Sequence, residues 1–543
     1  VRVSLPAHSD QPSAYDEQIS PLEQHFERWR KVAGVFLTPL AFAVTYWLCD
    51  GLTPQGRTLA AILAAVAAMW VSEVIPLPAT ALFGAALCVL LGVAKADVVL
   101  AYFGNPIIFV FLGGFMIARA MSVHQLDRRI ALGFLSIPII GSTRAGMLAG
   151  LGIVTAVISM WVSNTATAAM MMPIALGMLR AVHHLRPGQS EVLPAQGETA
   201  DVGLDPIDAR RWPFATAMML MVAYGASIGG IGTPVGSPPN LIGIGLIRKS
   251  TGIEISFFQW MALCVPLLIA MGIVLFFLLY ILHRDRLPRV SVSGKRVLEY
   301  IRAERSKLGP WTAGQINTSI AFGVAITLWV TPGLLEIPGV NGLDGAKALS
   351  AWFKVHLPES IVALLAACLL FMLPTRLREG EFTLSWHDAQ KIDWGTILLF
   401  GGGLALGSLM FDTGVAEAMG RSLTGPFLDS SSSVWTLTAI AIALGIVLSE
   451  VTSNTASANM VVPVVIAICQ GAGINPLPPA LGAVLGASYG FMLPVSTPPN
   501  AIVYGSGLVP LSRMLRAGII FDVIGFGIIF VGLRLLCPLL KLA

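Results

Sequence analysis

Two tetrapeptides hold the densest polar chemistry in an otherwise oily chain: Ser163-Asn164-Thr165-Ala166 and Ser453-Asn454-Thr455-Ala456. Each lies inside an apolar stretch, 143–180 and 433–470. A second pair follows downstream, Gly236-Ser237-Pro238-Pro239-Asn240 and Ser496-Thr497-Pro498-Pro499-Asn500. Proline lacks an N–H and clashes with the preceding helical turn, and Gly236 permits unusual backbone angles, so each Pro-Pro segment predicts an unwound point within a span. A hairpin tip with a broken helix frees N–H groups at one helix start and carbonyls at another helix end. The N–H groups, hydroxyls and amides suit a carboxylate or other oxyanion at the positive end of a helix. Freed carbonyls and side-chain oxygens suit a hard cation such as sodium. Taken singly, such residues also bridge helices or merely kink them. Their occurrence as matched pairs favours a binding site.

The elements that position these motifs follow from composition. The chain has 543 residues, 55% of them apolar and only 12% charged. Soluble proteins carry about 25% charged residues, so an array of soluble domains is excluded. Runs such as Ala33 to Cys49, Thr58 to Val74 and Phe257 to Leu282 are long enough to cross roughly 30 Å of hydrocarbon as helices. The formal net charge is +4, from 34 basic and 30 acidic residues, a balance unlike that of a nucleic-acid binder. The six cysteines are scattered singly in or beside apolar runs and read as small core residues. The first 32 residues are polar and of mixed charge, which predicts a surface tail and not a cleaved leader.

The expectation is an all-α polytopic membrane protein with about eleven transmembrane helices and two re-entrant hairpins. Spans are expected near 33–50, 57–74, 78–94, 106–122, 213–247, 256–282, 316–333, 360–374, 395–411, 476–505 and 517–539. The two motif-bearing stretches are long enough to enter as one helix and return as another. The segment His283 to Lys307 holds eight Lys and Arg residues, whereas Thr331 to Ser360 holds only Lys347 and Lys354. The positive-inside rule places the first in the cytoplasm, with Arg128, Arg129, Arg180, Arg186, Arg210, Arg211, Arg376, Arg378, Lys391, Arg513 and Arg516, and with the N-terminus.

The motifs recur in order at offsets of 290 and 260 residues, and Phe111-Leu112-Gly113-Gly114 resembles Phe400-Gly401-Gly402-Gly403 at an offset of 289. The polar loop near 183–212, which the second copy lacks, accounts for the shortfall. The copies run from about 106 to 247 and from about 395 to 505. An odd number of spans separates their starts, which predicts an inverted-topology repeat, the usual construction of secondary transporters.

No Lys, Arg or His falls within the four motifs. A dianion there needs compensation from helix starts and bound cations, which is a physical reason for sodium coupling. Glu73 and Glu450 sit within or at the ends of apolar runs, where an acid either serves function or pairs with a neighbouring donor. His183 and His184 read as solvated loop residues. Glycines 113–114 and 401–403 read as close-packing positions. An intramembrane enzyme with Ser163 or Ser453 as nucleophile lacks a nearby base in sequence, and a channel fits two opposed tips less well than alternating access does.

At these motifs the sequence resembles the divalent anion/sodium symporter family, solute carrier family 13. Its hallmark is a pair of Ser-Asn-Thr hairpin tips, each followed by a proline-rich break. The resemblance implies one sodium site near Ser159, Ser163, Asn164 and Gly236, and a second near Ser449, Thr452, Asn454 and Ser496. It implies substrate contacts from Ser163, Asn164, Thr165, Ser237, Ser453, Asn454, Thr455, Thr497 and Pro498. It further implies a homodimer in the plasma membrane that works as an elevator. Scaffold helices then lie at 33–135 and 313–425, transport units at 136–282 and 426–543, a cytoplasmic tail at 1–32 and a basic loop at 283–312. A C4 dicarboxylate (succinate, malate or fumarate) is the expected cargo, with sulfate, citrate and sodium-independent exchange left open.

Overall fold

The computed structural model describes residues 21–141, 143–183, 212–284, 294–337, 340, 345–419, 433–540 and 542. Residues 1–20 of the expected tail, and His184, Arg186, Arg210, Arg211, Arg286 and Arg289 among the expected inside residues, lie outside the described residues. Labels are given to helices of eight residues or more.

The first half begins with α1 (Pro21–Leu48), α2 (Pro54–Ser72), α3 (Leu77–Leu90), α4 (Pro106–Val123) and α5 (Leu126–Leu135). A hairpin of α6 (Arg144–Ser159) and α7 (Asn164–His183) follows, then a broken pair, α8 (Pro213–Gly230) and α9 (Pro238–Thr251), and the long α10 (Phe257–Leu282). Next come α11 (Gly294–Ser306), α12 (Ala313–Leu334), α13 (Ala346–His356), α14 (Glu359–Met372) and α15 (Trp394–Asp412). The hairpin and broken pair then recur as α16 (Val434–Val451) with α17 (Asn454–Gly471), and α18 (Leu477–Ala487) with α19 (Pro498–Gly505), before the closing α20 (Leu511–Leu539).

Local sequence accounts for many of these boundaries. Asn105 caps α4 by accepting from the Ile107 N–H at 3.0 Å, with Pro106 in the first helical position. Ser256 with Gln259, and Thr312 with Gln315, form capping boxes that start α10 and α12. Gly252, at φ 72°, ends α9 in the left-handed region.

Eleven helices among the described residues are long and apolar enough to cross a membrane, or up to twelve if α13 and α14, bent by 68°, count as one span. The expected total of eleven is met by a different set. The arms α7, α16 and α17 pass on length, whereas α3, α6 and α18 are shorter. One element departs from the all-helical expectation, and one from the expected basic loop. Pro374–Arg376 pairs antiparallel with Glu381–Phe382 as a small two-stranded sheet. Within the basic segment, α11 forms an amphipathic helix whose Val297 and Ile301 are fully buried. The first helix also starts at Pro21, well before the apolar run.

The lipid as solvent is visible in α10. Leu263, Leu267, Met271, Leu275 and Leu279 are buried at a spacing of four, whereas Ile269, Ile273, Phe277 and Ile281 form an exposed stripe. An all-apolar helix with one bare face needs hydrocarbon outside it. By contrast, every residue of α8 from Phe214 to Gly230 is buried, so α8 forms the centre of the helical packing.

Small residues let the helices touch. A Cβ at Gly113 of α4 would sit 2.4 Å from the Ala363 carbonyl oxygen of α14, and one at Gly402 of α15 would sit 2.7 Å from the Ala81 Cβ of α3. The glycine clusters of the two copies are thus contact points between backbones. Glu73, one of the two apolar-run acids, ends α2 and pairs with Arg30 at 2.9 Å. We expect Gly113→Ala to force α4 from α14 and lower the melting temperature of the detergent-solubilised protein by several degrees, in line with an overpacking cost of about 1–3 kcal/mol. Gly323→Ala, where a Cβ meets nothing within 4 Å, should leave it unchanged; equal melting of the two variants would contradict the close approach.

Candidate functional site

The site begins at two turns. Between α6 and α7 the chain turns over Met160 to Ser163, and the Ser163 hydroxyl accepts from the Ala166 N–H at 3.3 Å, capping α7. Ser453 caps α17 in the same way through the Ala456 N–H at 3.2 Å. One helical turn before each tip, a serine hydroxyl donates to the asparagine that starts the next helix. Ser159 Oγ reaches Asn164 Oδ1 at 2.8 Å, and Ser449 Oγ reaches Asn454 Oδ1 at 2.7 Å. Both serines are fully buried. Thr452 is buried as well, its hydroxyl 2.8 Å from that of Ser457.

The proline segments break their helices, and their own asparagines staple the breaks. Asn240 Nδ2 donates to the Gly230 and Thr233 carbonyls, both at 2.8 Å. Asn500 Nδ2 donates to the Gly490 and Leu493 carbonyls at 2.9 and 3.0 Å. Trp260 Nε1 takes a further freed carbonyl, that of Ile231, at 2.9 Å. Sequence reading singled out the prolines of these segments; the asparagine beside them does the holding.

Both tips and both breaks line one cavity of about 460 Å³. Its walls include Ser163, Asn164 and Thr165; Gly236, Ser237 and Pro238; Ser453, Asn454 and Thr455; and Ser496, Thr497 and Pro498. All nine residues expected to touch a substrate are therefore brought together, although 290 residues separate the two tips. Of the residues expected around cations, Ser159, Ser449 and Thr452 stand behind the cavity wall and the others face it. Four helices, α7, α9, α17 and α19, begin at wall residues. Each helix start carries roughly half a positive elementary charge, so the four together are on the order of a dianion's two negative charges.

The oxygen groups behind the first tip converge on Gly236. A Cβ there would lie 2.7, 2.8 and 3.1 Å from the carbonyl oxygens of Gly230, Met160 and Ser159. Behind the second tip, a Cβ at Gly490 would lie 3.1 Å from the Ser449 carbonyl oxygen and 3.2 Å from its hydroxyl. Neutral oxygens around side-chain-free space make a donor set that fits a hard monovalent cation better than a transition metal. Among the described residues no group of three or more His, Cys, Asp or Glu side chains converges as a metal cluster.

The two copies differ at Glu450, whose counterpart at the 290-residue offset is Met160. The Glu450 carboxylate is buried and accepts from the Phe491 and Met492 N–H groups at 2.6 and 3.0 Å and from Ser496 Oγ at 2.7 Å. It therefore shapes the second break from behind and does not line the cavity. The remaining wall was missed from sequence. It includes Phe115, Arg119 and Ser122 of α4, the loop residues Lys391 to Asp393, and Thr396 of α15. A signal was available, since Arg119 is the one Lys or Arg inside the apolar run of α4 and an ionisable residue in a span is a functional candidate by default. Arg119 Nη2 pairs with Asp388 Oδ1 at 3.2 Å, and Lys391 Nζ lies 3.6 Å from the same oxygen. Asp388 lies outside the spans; the Ser385 hydroxyl first, then Arg119 and Lys391, hold its carboxyl below the ordinary aspartate range.

A helical bundle crossing the membrane many times, with two polar tips and two broken helices around one cavity, is the architecture of a multi-pass membrane transporter. Its family is settled by comparison: the model of the sodium:sulfate symporter transmembrane region matches residues 29–540, and the chain belongs to that family. It is a transporter and not an enzyme, which removes the serine-nucleophile alternative. It is similar to the sodium-dependent dicarboxylate transporter SdcS of Staphylococcus saprophyticus, with 31% identity over 513 residues, 94% of this chain and 92% of that one. SdcS of Staphylococcus aureus strain USA300 is 31% identical over 514 residues, with the same coverage. An uncharacterized transporter of Haemophilus influenzae is 33% identical over 475 residues, 87% of this chain and 90% of that one.

Asn500→Ala strips both staples from the second break and leaves buried carbonyls unpaired, at about 1–3 kcal/mol each. We expect purified Asn500→Ala protein to elute as wild type does on gel filtration yet to lose at least tenfold in transport; unchanged transport would show that the break holds its shape without the staple.

Proposed function

We propose that this chain carries a small dianion together with sodium ions across the plasma membrane, and that C4 dicarboxylates such as succinate, malate and fumarate are the preferred cargo. One observation carries the reading: both Ser-Asn-Thr tips and both Pro-Pro breaks wall a single cavity, with a matched serine–asparagine hydrogen bond behind each tip. The names of the SdcS relatives agree with it.

In this reading the carboxylates sit against the tip hydroxyls, the asparagine amides and the helix starts, supported by Ser237, Thr497 and the ring of Pro498. Sodium occupies the oxygen pockets behind each tip. The Ser159–Asn164 and Ser449–Asn454 hydrogen bonds open to offer both oxygens to the ion, with Gly236 completing the first pocket and Thr452 and Ser496 the second. Coupling follows from electrostatics. The motifs bring no permanent positive charge, so each bound sodium strengthens the field felt by the dianion, and the dianion strengthens the binding of sodium.

Movement is assigned to the hairpin and broken-helix units, 136–282 and 426–543, sliding against scaffold helices 33–135 and 313–425 in a homodimer. The N-terminus and the basic segments face the cytoplasm, and the two copies are inverted relative to each other. The wall residues Lys391 to Asp393 then open the cavity towards the cytoplasm.

The test is uptake of labelled succinate into proteoliposomes. We expect uptake driven by an inward sodium gradient, lost when choline replaces sodium, and competed by malate and fumarate more strongly than by sulfate or citrate. Asn164→Ala and Asn454→Ala should each reduce it to background. Equal uptake in choline would refute the coupling, and near-normal uptake in either asparagine variant would refute the paired-tip site.

A further inference from the structure

The wall facing the tips carries charge that the motifs lack. Arg119 projects from the apolar span α4 and Lys391 from the loop before α15, and both line the cavity. Their shared partner is a single carboxylate: Asp388 Oδ1 lies 3.2 Å from Arg119 Nη2 and 3.6 Å from Lys391 Nζ. The other oxygen of Asp388 accepts from Ser385 Oγ at 2.8 Å. One acid therefore serves two cations. The acid that itself lines this wall, Asp393, is engaged elsewhere. Its oxygens accept from the Thr396 N–H at 3.0 Å and the Thr396 hydroxyl at 2.6 Å, so its charge caps the start of α15. Arg119 Nε is buried with no acceptor, an open valence on a group with five N–H donors.

An arginine held in an apolar span by a shared carboxylate has donors left over, and its side chain lines the cavity in which a dianion would lie. We propose that Arg119 and Lys391 form a second anion subsite, which takes the outer carboxylate of a linear dicarboxylate whose inner carboxylate rests on the tips. This deepens the function proposed above and rests on it. The subsite selects by length. Succinate carries its two charges at the ends of a four-carbon chain and engages both walls, whereas sulfate is compact and engages the tips alone. Asp388 sets the strength of the subsite by competing with the ligand for both cations. Because α4 and the loop before α15 belong to the proposed scaffold, the contact exists only while the cavity faces this wall, and it is released when the hairpin units move.

The test measures KM for succinate and for sulfate in proteoliposomes, with the half-saturating sodium concentration as the internal control. For Arg119→Gln we expect the succinate KM to rise roughly tenfold, as for the loss of one charge-assisted hydrogen bond. The sulfate KM and the sodium dependence should change less than twofold. Arg119→Lys should recover part of the loss. Lys391→Gln, at a half-exposed side chain, should shift the succinate KM the same way by a smaller factor and provides the measurement if Arg119→Gln fails to fold. Asp388→Asn frees both cations and should lower the succinate KM. An unchanged succinate KM in both Arg119→Gln and Lys391→Gln overturns the subsite, as does a rise in Asp388→Asn equal to that in Arg119→Gln. If wild-type vesicles take up neither anion with sodium, the functional reading fails and the subsite with it. Wild-type uptake with indifferent variants sinks the subsite alone.

Discussion

Backbone removed from a helix must find its hydrogen bonds inside the protein, because hydrocarbon supplies none. The central cavity depends on how this chain meets that requirement at two breaks and two tips. Asn240 and Asn500 each reach two freed carbonyls, and Ser163 and Ser453 each take an N–H at a helix start. Proline makes the break and asparagine makes it affordable. Both tips and both breaks, held in this way, face one cavity.

The two halves solve the same problem with unequal means. In the first, uncharged groups hold the unwound segment: Asn240, the Trp260 indole and the Thr233 hydroxyl, which donates to the Met160 carbonyl. In the second, the Glu450 carboxylate gathers two backbone N–H groups and the Ser496 hydroxyl. The second break thus has an acidic side chain behind Ser496, whereas Met160 stands at the matching position of the first. The two breaks are therefore held by different groups, although the serine–asparagine pairs behind the tips are nearly equal in length.

Charge is distributed unevenly around the cavity. The motifs carry none, and the starts of four helices supply positive potential without the desolvation cost of an ammonium or guanidinium group. The permanent cations stand across the cavity on α4 and the loop before α15, where Asp388 balances them.

Membrane residence, the two polar tips, the two proline breaks and their recurrence were legible in the sequence, because each is written in contiguous residues: an apolar run, a tripeptide, a Pro-Pro pair. The serine one helical turn before each asparagine was legible too, because helical geometry is local. The sequence did not disclose that α11 is a helix within a basic segment, that a small sheet interrupts the second half, or that the asparagine after each proline pair is the staple. Nor did it disclose the wall facing the tips. Arg119 and Asp388 lie 269 residues apart, and whether an arginine in an apolar run meets lipid, a carboxylate or a cavity depends on which helix packs beside it. Chemistry carried by neighbours in the chain is readable from their order; chemistry shared between distant segments is decided only when packing brings them together.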